Sequence, residues 1–290
     1  MSATLLNGRT LSATIKTELR TDVQRYQDTH GHAPGLVIVR VEGDAASGFY
    51  SKAILKISRE LGVEARLELL PEQTSAQELS DLLLRLNQDP RVHGIIVQMP
   101  LPAHLPQDLV INAIAPEKDI DGISPVSAGN LVLGLPGFQP STAAAVIEIL
   151  KRSEIELAGK HVVVLGRSNV VGKPLSLLLL QQHATVTICH SRTPDLASFT
   201  RQADVLVAAV GRARMVTAEM VRPGATVIDV GINSLPEGGM VGDVDFASVQ
   251  DVAGALTPVP GGVGPLTNVL LLRQCIEAAW RQAGPEAHHA

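Results

Sequence analysis

Four aliphatic residues, Val162-Val163-Val164-Leu165, lead straight into Gly166-Arg167-Ser168-Asn169-Val170-Val171-Gly172-Lys173-Pro174. A glycine turn between a strand and a helix brings backbone N–H groups and the positive end of the helix dipole toward a phosphate. Ser168 stands where the three-glycine dinucleotide fingerprint has its middle glycine, so this turn alone reads equally well as purely structural. The next apolar run, residues 185–189, ends in His190-Ser191-Arg192-Thr193. In a dinucleotide fold the end of the second strand meets the adenosine ribose, and an acidic residue there selects a free 2′-hydroxyl. Here Ser191 and Arg192 occupy that place, with Arg167 in the preceding turn. A hydroxyl and guanidinium groups suit a 2′-phosphate dianion, so NADP is expected over NAD.

Other reactive types carry less. Cys189 and His190 are neighbours on a strand, where successive side chains leave opposite faces, so they do not read as a catalytic pair. The nine histidines show no metal-ligand spacing and the two cysteines, Cys189 and Cys275, are far apart; neither a metal site nor a disulfide is expected. A net charge of −5 gives no basic footprint for nucleic acid. No apolar stretch is long enough to span a bilayer, and Met1-Ser2-Ala3-Thr4 lacks a basic start followed by an apolar run. A soluble, cytoplasmic protein is the expectation.

These residues need a frame. With 45% hydrophobic residues but only 2% aromatic, the core must be aliphatic, which favours buried parallel strands. The 290 residues suffice for two domains. Strand-like runs at 36–41, 65–70 and 94–99 alternate with helix-like runs at 47–61 and from the capping box Ser75-Ala76-Gln77-Glu78 to about Asn87. Residues 121–139, rich in Gly, Ser and Pro, read as a loop separating the two halves. In the second half, strands are expected at 161–165, 185–189, 205–209 and 226–230, and helices at 175–182 and 266–283. Residues 284–290, with the pair His288-His289, read as a frayed tail. The expected fold is α/β with two domains: residues 1–139, then a Rossmann-like parallel-sheet nucleotide domain at 140–265.

Further segments complete a specific pattern. They are Ser47-Gly48-Phe49-Tyr50, Gly94-Ile95-Ile96-Val97-Gln98-Met99-Pro100-Leu101-Pro102, Pro116-Glu117-Lys118-Asp119-Ile120-Asp121-Gly122, Asp229-Val230-Gly231-Ile232-Asn233, Gly242-Asp243-Val244 and Thr257-Pro258-Val259-Pro260-Gly261-Gly262-Val263-Gly264-Pro265. Together with the turn at Gly166 they resemble the bifunctional methylenetetrahydrofolate dehydrogenase/methenyltetrahydrofolate cyclohydrolase family, over nearly the whole chain. The resemblance implies a cleft between the domains, with folate mainly on the first and NADP on the second. It implies that the helix at 266–283 packs back onto the first domain, and that the enzyme is a homodimer of one-carbon metabolism serving purine biosynthesis. Catalytic roles fall to Tyr50, stacking on the pterin, to Gln98 beside the reacting carbon, and to Asp121, holding the pterin ring. A carboxylate can accept bidentately from the paired pterin donors. Gly166, Arg167, Ser168, Ser191 and Ile232 would bind NADP, while Pro260, Gly261 and Gly262 would line the cleft near substrate.

One position departs from the family. A lysine is expected one helical turn after Tyr50, and Ile54 stands there. Lys52 and Lys56 flank it, each rotated about 200° from it at 3.6 residues per turn. Ser127, Ala143 and Asn268 also replace the family's usual Asn, Pro and a hydrophobic residue. Hydride transfer from the methylene carbon rests on positioning, whereas hydrolysis of the methenyl cation profits from a titratable group. The dehydrogenase is expected to survive the change better than the cyclohydrolase. Two alternatives stand: a bifunctional enzyme recruiting another base such as Lys56, and a folate- or nucleotide-binding paralogue without catalysis.

Overall fold

The computed structural model describes residues 2–236 and 238–284, so most of the expected tail, His288-His289 included, lies outside the described residues. The chain opens with β1 (Thr4–Leu5), α1 (Gly8–His30), β2 (Gly35–Val41), α2 (Ala45–Leu61), β3 (Glu64–Leu70), α3 (Ala76–Gln88) and β4 (Gly94–Val97). Then come α4 (Gln107–Ala113), α5 (Pro125–Leu133), α6 (Ser141–Arg152), β5 (His161–Leu165), α7 (Gly172–Gln181), β6 (Thr185–Cys189) and α8 (Leu196–Thr200). The last third holds β7 (Val205–Ala208), β8 (Thr226–Asp229), β9 (Asn233–Ser234), β10 (Met240–Val241), α9 (Phe246–Val249), β11 (Ala255–Leu256) and α10 (Gly264–Ala283). The fold is α/β, as the alternation of patterns predicts.

Two compact units result, one of residues 1–13 with 140–267, the other of 14–139 with 268–290. The first contains a six-stranded sheet in the order β1-β11-β8-β7-β5-β6, every pairing parallel. Val162, Val163 and Val164 are fully buried in it, which is why the run carries no polar alternation. β1 pairs with β11, and this takes the first 13 residues away from the half in which the sequence alone puts them. A two-residue strand offers no periodicity to read.

The second unit is built on a three-stranded parallel sheet in the order β3-β2-β4. α3 packs Leu79, Leu82, Leu83 and Leu86 onto the same core as Val37, Val39 and Ile95 of the sheet. Its capping box forms as expected: Ser75 Oγ accepts from Glu78 N–H and Glu78 accepts from Ser75 N–H. From α10, Gln274 donates to the Ile120 and Gln139 carbonyls, and Gln282 to the His93 carbonyl. The expected loop at 121–139 instead contains α5, with Ser124 as N-cap, Pro125 in the first turn and Gly134 left-handed at the end. Among the described residues no helix is long and apolar enough to cross a membrane.

Candidate functional site

In the three-stranded unit, the sequence-predicted residues lie at the end of β4, on α2 and between α4 and α5. Gln98 follows the strand directly; it is 5% exposed and its N–H donates to the Val39 carbonyl, so the strand end fixes it. Carboxyl ends of parallel strands are where open α/β sheets place ligands. Tyr50 sits on α2, 37% exposed as a whole residue. Its phenol is nevertheless held above the usual value, first by desolvation and then by the Asp121 carboxylate, so Tyr50 and Asp121 are electrostatic neighbours. The exposure describes the whole side chain, whereas desolvation acts at the hydroxyl.

The loop bearing Asp121 is pinned by two residues to which the sequence reading gave no role. Lys118 is buried, and its Nζ donates to the Leu86 and Asp89 carbonyls at the end of α3. Burial lowers its pKa. Asp119 is fully buried and accepts from Ile123 N–H, Ser124 N–H and the Ser127 hydroxyl at 3.0, 2.8 and 2.6 Å. Ser127, where the family usually has Asn, thus belongs to this support. In the Lys-Asp-Ile-Asp run the first three residues are buried, and only Asp121 stays partly exposed.

Ile54 is fully buried on α2, while Lys52 and Lys56 are both exposed. The helix keeps its register through this stretch, and Ser58 Oγ donates to the Ile54 carbonyl. Neither flanking lysine shares the buried face.

In the six-stranded unit a crevice of about 220 Å³ opens at the carboxyl ends of β5, β6 and β7. Gly166, Arg167 and Ser191 line it, together with Arg212 and the apolar Leu196, Val210 and Met215. β5 lies between β6 and β7, so the strand order reverses here, the usual place for a nucleotide. Gly166 has φ 123°, and a Cβ there would collide with the Ala209 carbonyl, so only glycine lets the two strand ends approach. The groups present fit a dinucleotide: apolar walls for a base, guanidinium groups for phosphate, and no Asp or Glu among the lining residues.

Three further expected members have their own local contacts. Ser168 Oγ accepts from Val171 N–H and Gly172 N–H at 3.1 and 3.4 Å, so it braces the turn leading into α7. Arg192 is exposed, its N–H donating to His190 Nδ1, and it follows Ser191, which lines the crevice. Ile232, 63% exposed, lies near Gly264, beside the glycine loop in which Gly261 and Gly262 are buried and Pro260 is exposed.

Behind the crevice lie two buried carboxylates that the sequence reading left without a role. Asp229 accepts from Gly231, Asp243 and Val244 N–H, each at 2.9 Å. Asp243 accepts from Val210, Gly211 and Arg212 N–H at 2.6, 2.9 and 2.8 Å, and from Asn233 Nδ2 at 2.9 Å. Burial pushes the Asp229 carboxyl up to about 6, the Asp243 charge adding to this and the three amides opposing it. A Cβ at Gly242 would collide with the Asp229 carboxylate, which explains the glycine before Asp243.

Comparison with known proteins places these features in one family. Residues 6–121 match the catalytic domain of the tetrahydrofolate dehydrogenase/cyclohydrolase family, and residues 140–283 match its NAD(P)-binding domain. The "Bifunctional protein FolD" of Geobacillus thermodenitrificans is 50% identical over 279 residues, covering 96% of this chain and 98% of that one. The crystal structure of the bifunctional FolD enzyme of Campylobacter jejuni superimposes with a TM-score of 0.95 at 43% identity, over 97% of this chain and 99% of that one. That of the Trypanosoma brucei dehydrogenase-cyclohydrolase, complexed with NADP cofactor and inhibitor, gives 0.94 at 35% identity, over 98% of this chain and 100% of the other. The chain belongs to the tetrahydrofolate dehydrogenase/cyclohydrolase family.

Proposed function

We infer that this chain oxidises 5,10-methylenetetrahydrofolate to the methenyl form with NADP, and that it hydrolyses the methenyl product poorly. Dehydrogenase activity and the NADP cofactor follow from the family and from the relative solved with NADP. The weak hydrolysis rests on one observation, the fully buried Ile54.

Bound NADP supplies the hydride acceptor. The protein must then align the methylene carbon and exclude water, and alignment of this kind can carry most of a hydride transfer. In this reading Asp121 accepts from the pterin donors, Tyr50 lies against the ring, and Gln98 stands beside the reacting carbon. On the cofactor side Gly166, Arg167 and Ser191 receive the adenosine phosphates. Ser168 braces the turn before α7, while Ile232, Pro260, Gly261 and Gly262 border the reacting end.

Hydrolysis asks for more. Water must lose a proton as it attacks, and the departing nitrogen must gain one, so a titratable group near the carbon is worth roughly 10²–10⁴-fold. An amine buried where Ile54 lies would have its pKa pulled down toward neutrality and could serve. Isoleucine has no proton to move. Tyr50 is no substitute, because its raised pKa keeps the phenol neutral. Lys118 is engaged with two carbonyls, and Lys52 and Lys56 face solvent. The reading extends to a cytoplasmic homodimer acting in one-carbon transfer for purine biosynthesis, an assignment supported by the family resemblance.

Following NADPH formation and methenyl decay as separate absorbance signals tests this. Wild-type protein is expected to produce NADPH while methenyl product accumulates and decays no faster than in buffer. Ile54→Lys should accelerate the decay, by less than the full ~10²-fold a well-placed base gives, because Ser127, Ala143 and Asn268 have changed as well. Fast hydrolysis by the unaltered protein would overturn the assignment and make Lys56→Met the next variant. Failure to form NADPH at all would leave only the binding paralogue.

A further inference from the structure

We propose that Arg212 is a specificity-determining residue for NADP, reading the 2′-phosphate together with Arg167 and Ser191, and that Asp243 is the positioning residue that holds it there. The inference deepens the NADP reading and rests on it.

Three observations carry it. Arg212 lines the same crevice as Arg167 and Ser191, although 45 residues of sequence separate it from Arg167 and 21 from Ser191. Two guanidinium groups and a hydroxyl, with no carboxylate among the lining residues, form a donor set matched to a dianion. A free ribose diol would be better served by a carboxylate acceptor, which the crevice lacks.

The backbone under Arg212 is then unusually well fixed. Asp243 is fully buried and accepts from three consecutive amides, those of Val210, Gly211 and Arg212. It holds the start of the loop that follows β7 as a helix N-cap holds its first turn. Its other anchors are Asn233 Nδ2, and Asp229 through the Asp243 amide. A long side chain on a floating loop would lose much of its binding energy to ordering, and this latch removes that cost before the ligand arrives. Arg212 itself is exposed, so its replacement leaves the core intact.

The test is equilibrium binding rather than turnover. Dissociation constants for 2′,5′-ADP and 5′-AMP are measured by calorimetry on wild type, Arg212→Ala, Arg212→Lys and Asp243→Asn. Wild type should bind 2′,5′-ADP the more tightly; equal affinities would overturn the NADP reading along with the proposal. Arg212→Ala should weaken 2′,5′-ADP by about tenfold to a hundredfold, as loss of a charged hydrogen bond does, and leave 5′-AMP within about twofold. Asp243→Asn should lower the same preference through the same loop, while Arg212→Lys retains part of it. Preference intact in Arg212→Ala while wild type discriminates would sink the proposal alone. Parallel weakening of both ligands would do the same, because it would make Arg212 an adenosine contact.

Discussion

At the scale of the residue, the motifs divide into partly exposed groups and buried groups that hold the backbone beneath them in place. The sequence shows only the sum. Asp121 and Asp119 sit two apart in one motif, yet Asp119 is fully buried on three donors and Asp121 is partly exposed beside Tyr50. The division predicts different costs for similar changes. Asp121→Asn should weaken folate binding by about 1.5–3 kcal/mol, since the pterin donors lose a charged acceptor. NADP binding and the unfolding midpoint should hardly move. Separate titrations with each ligand decide it, and an unchanged folate affinity would return Asp121 to the role of a turn residue. The crevice lining was legible where chemistry and spacing coincide, at Gly166, Arg167 and Ser191. It was not legible at Arg212, Asp229 and Asp243, because burial and loop contacts, rather than residue type, give those positions their meaning.

At the scale of the element, strands with continuous apolar runs and helices with a capping signal could be read directly. Elements held by tertiary pairing could not. β1 and β11 are two residues each and exist through pairing, β1 with β11 and β11 with both β1 and β8. α5 is the instructive miss. Its Ser124 cap, first-turn proline and terminal Gly134 are all helix punctuation, but they sit in a stretch whose Gly, Ser and Pro content reads as loop. What makes the helix worthwhile is the buried Asp119 carboxylate, which meets both Ser124 N–H and Ser127 Oγ. Lys118 does the equivalent work at the end of α3, where helix carbonyls lack intrahelical partners. Lys118→Met should therefore destabilise the protein by about 1–3 kcal/mol, the cost of leaving buried acceptors unpaired. Urea unfolding should show a lower midpoint at unchanged slope. A loss below about 0.5 kcal/mol, the range of ordinary surface changes, would mean that water replaces the amine.

At the scale of the whole molecule, the two units carry buried titrating groups of opposite sign, and acid should act on them in opposite ways. In the unit holding the three-stranded sheet, His93 is 3% exposed and its Nδ1 accepts from Gly35 N–H at 2.8 Å. That bond requires Nδ1 to be unprotonated, so the neutral ring carries its proton on Nε2 and donates to Tyr26 Oη at 3.2 Å. Burial, with His32, Lys118, Arg91 and His30 nearby, pulls the His93 pKa down to about 4. An unfolded histidine titrates near ~6.5, so this unit's His93 contribution is complete above that pH and is lost as pH falls toward about 4. The full loss is on the order of 3 kcal/mol. Asp229 in the other unit runs the other way: its folded carboxyl, raised to about 6, takes up a proton before the unfolded one does, so acid relieves its burial. The protein's single tryptophan, Trp280, packs edge-on against Tyr26 with ring centroids 5.1 Å apart, and so reports on the His93 unit. Its fluorescence transition in urea should shift to lower denaturant between about pH 6.5 and 4.5, and His93→Gln should flatten that shift at some cost in stability at neutral pH. A transition insensitive to pH in this window, or one equally sensitive in the variant, would show that another group governs the acid response of this unit.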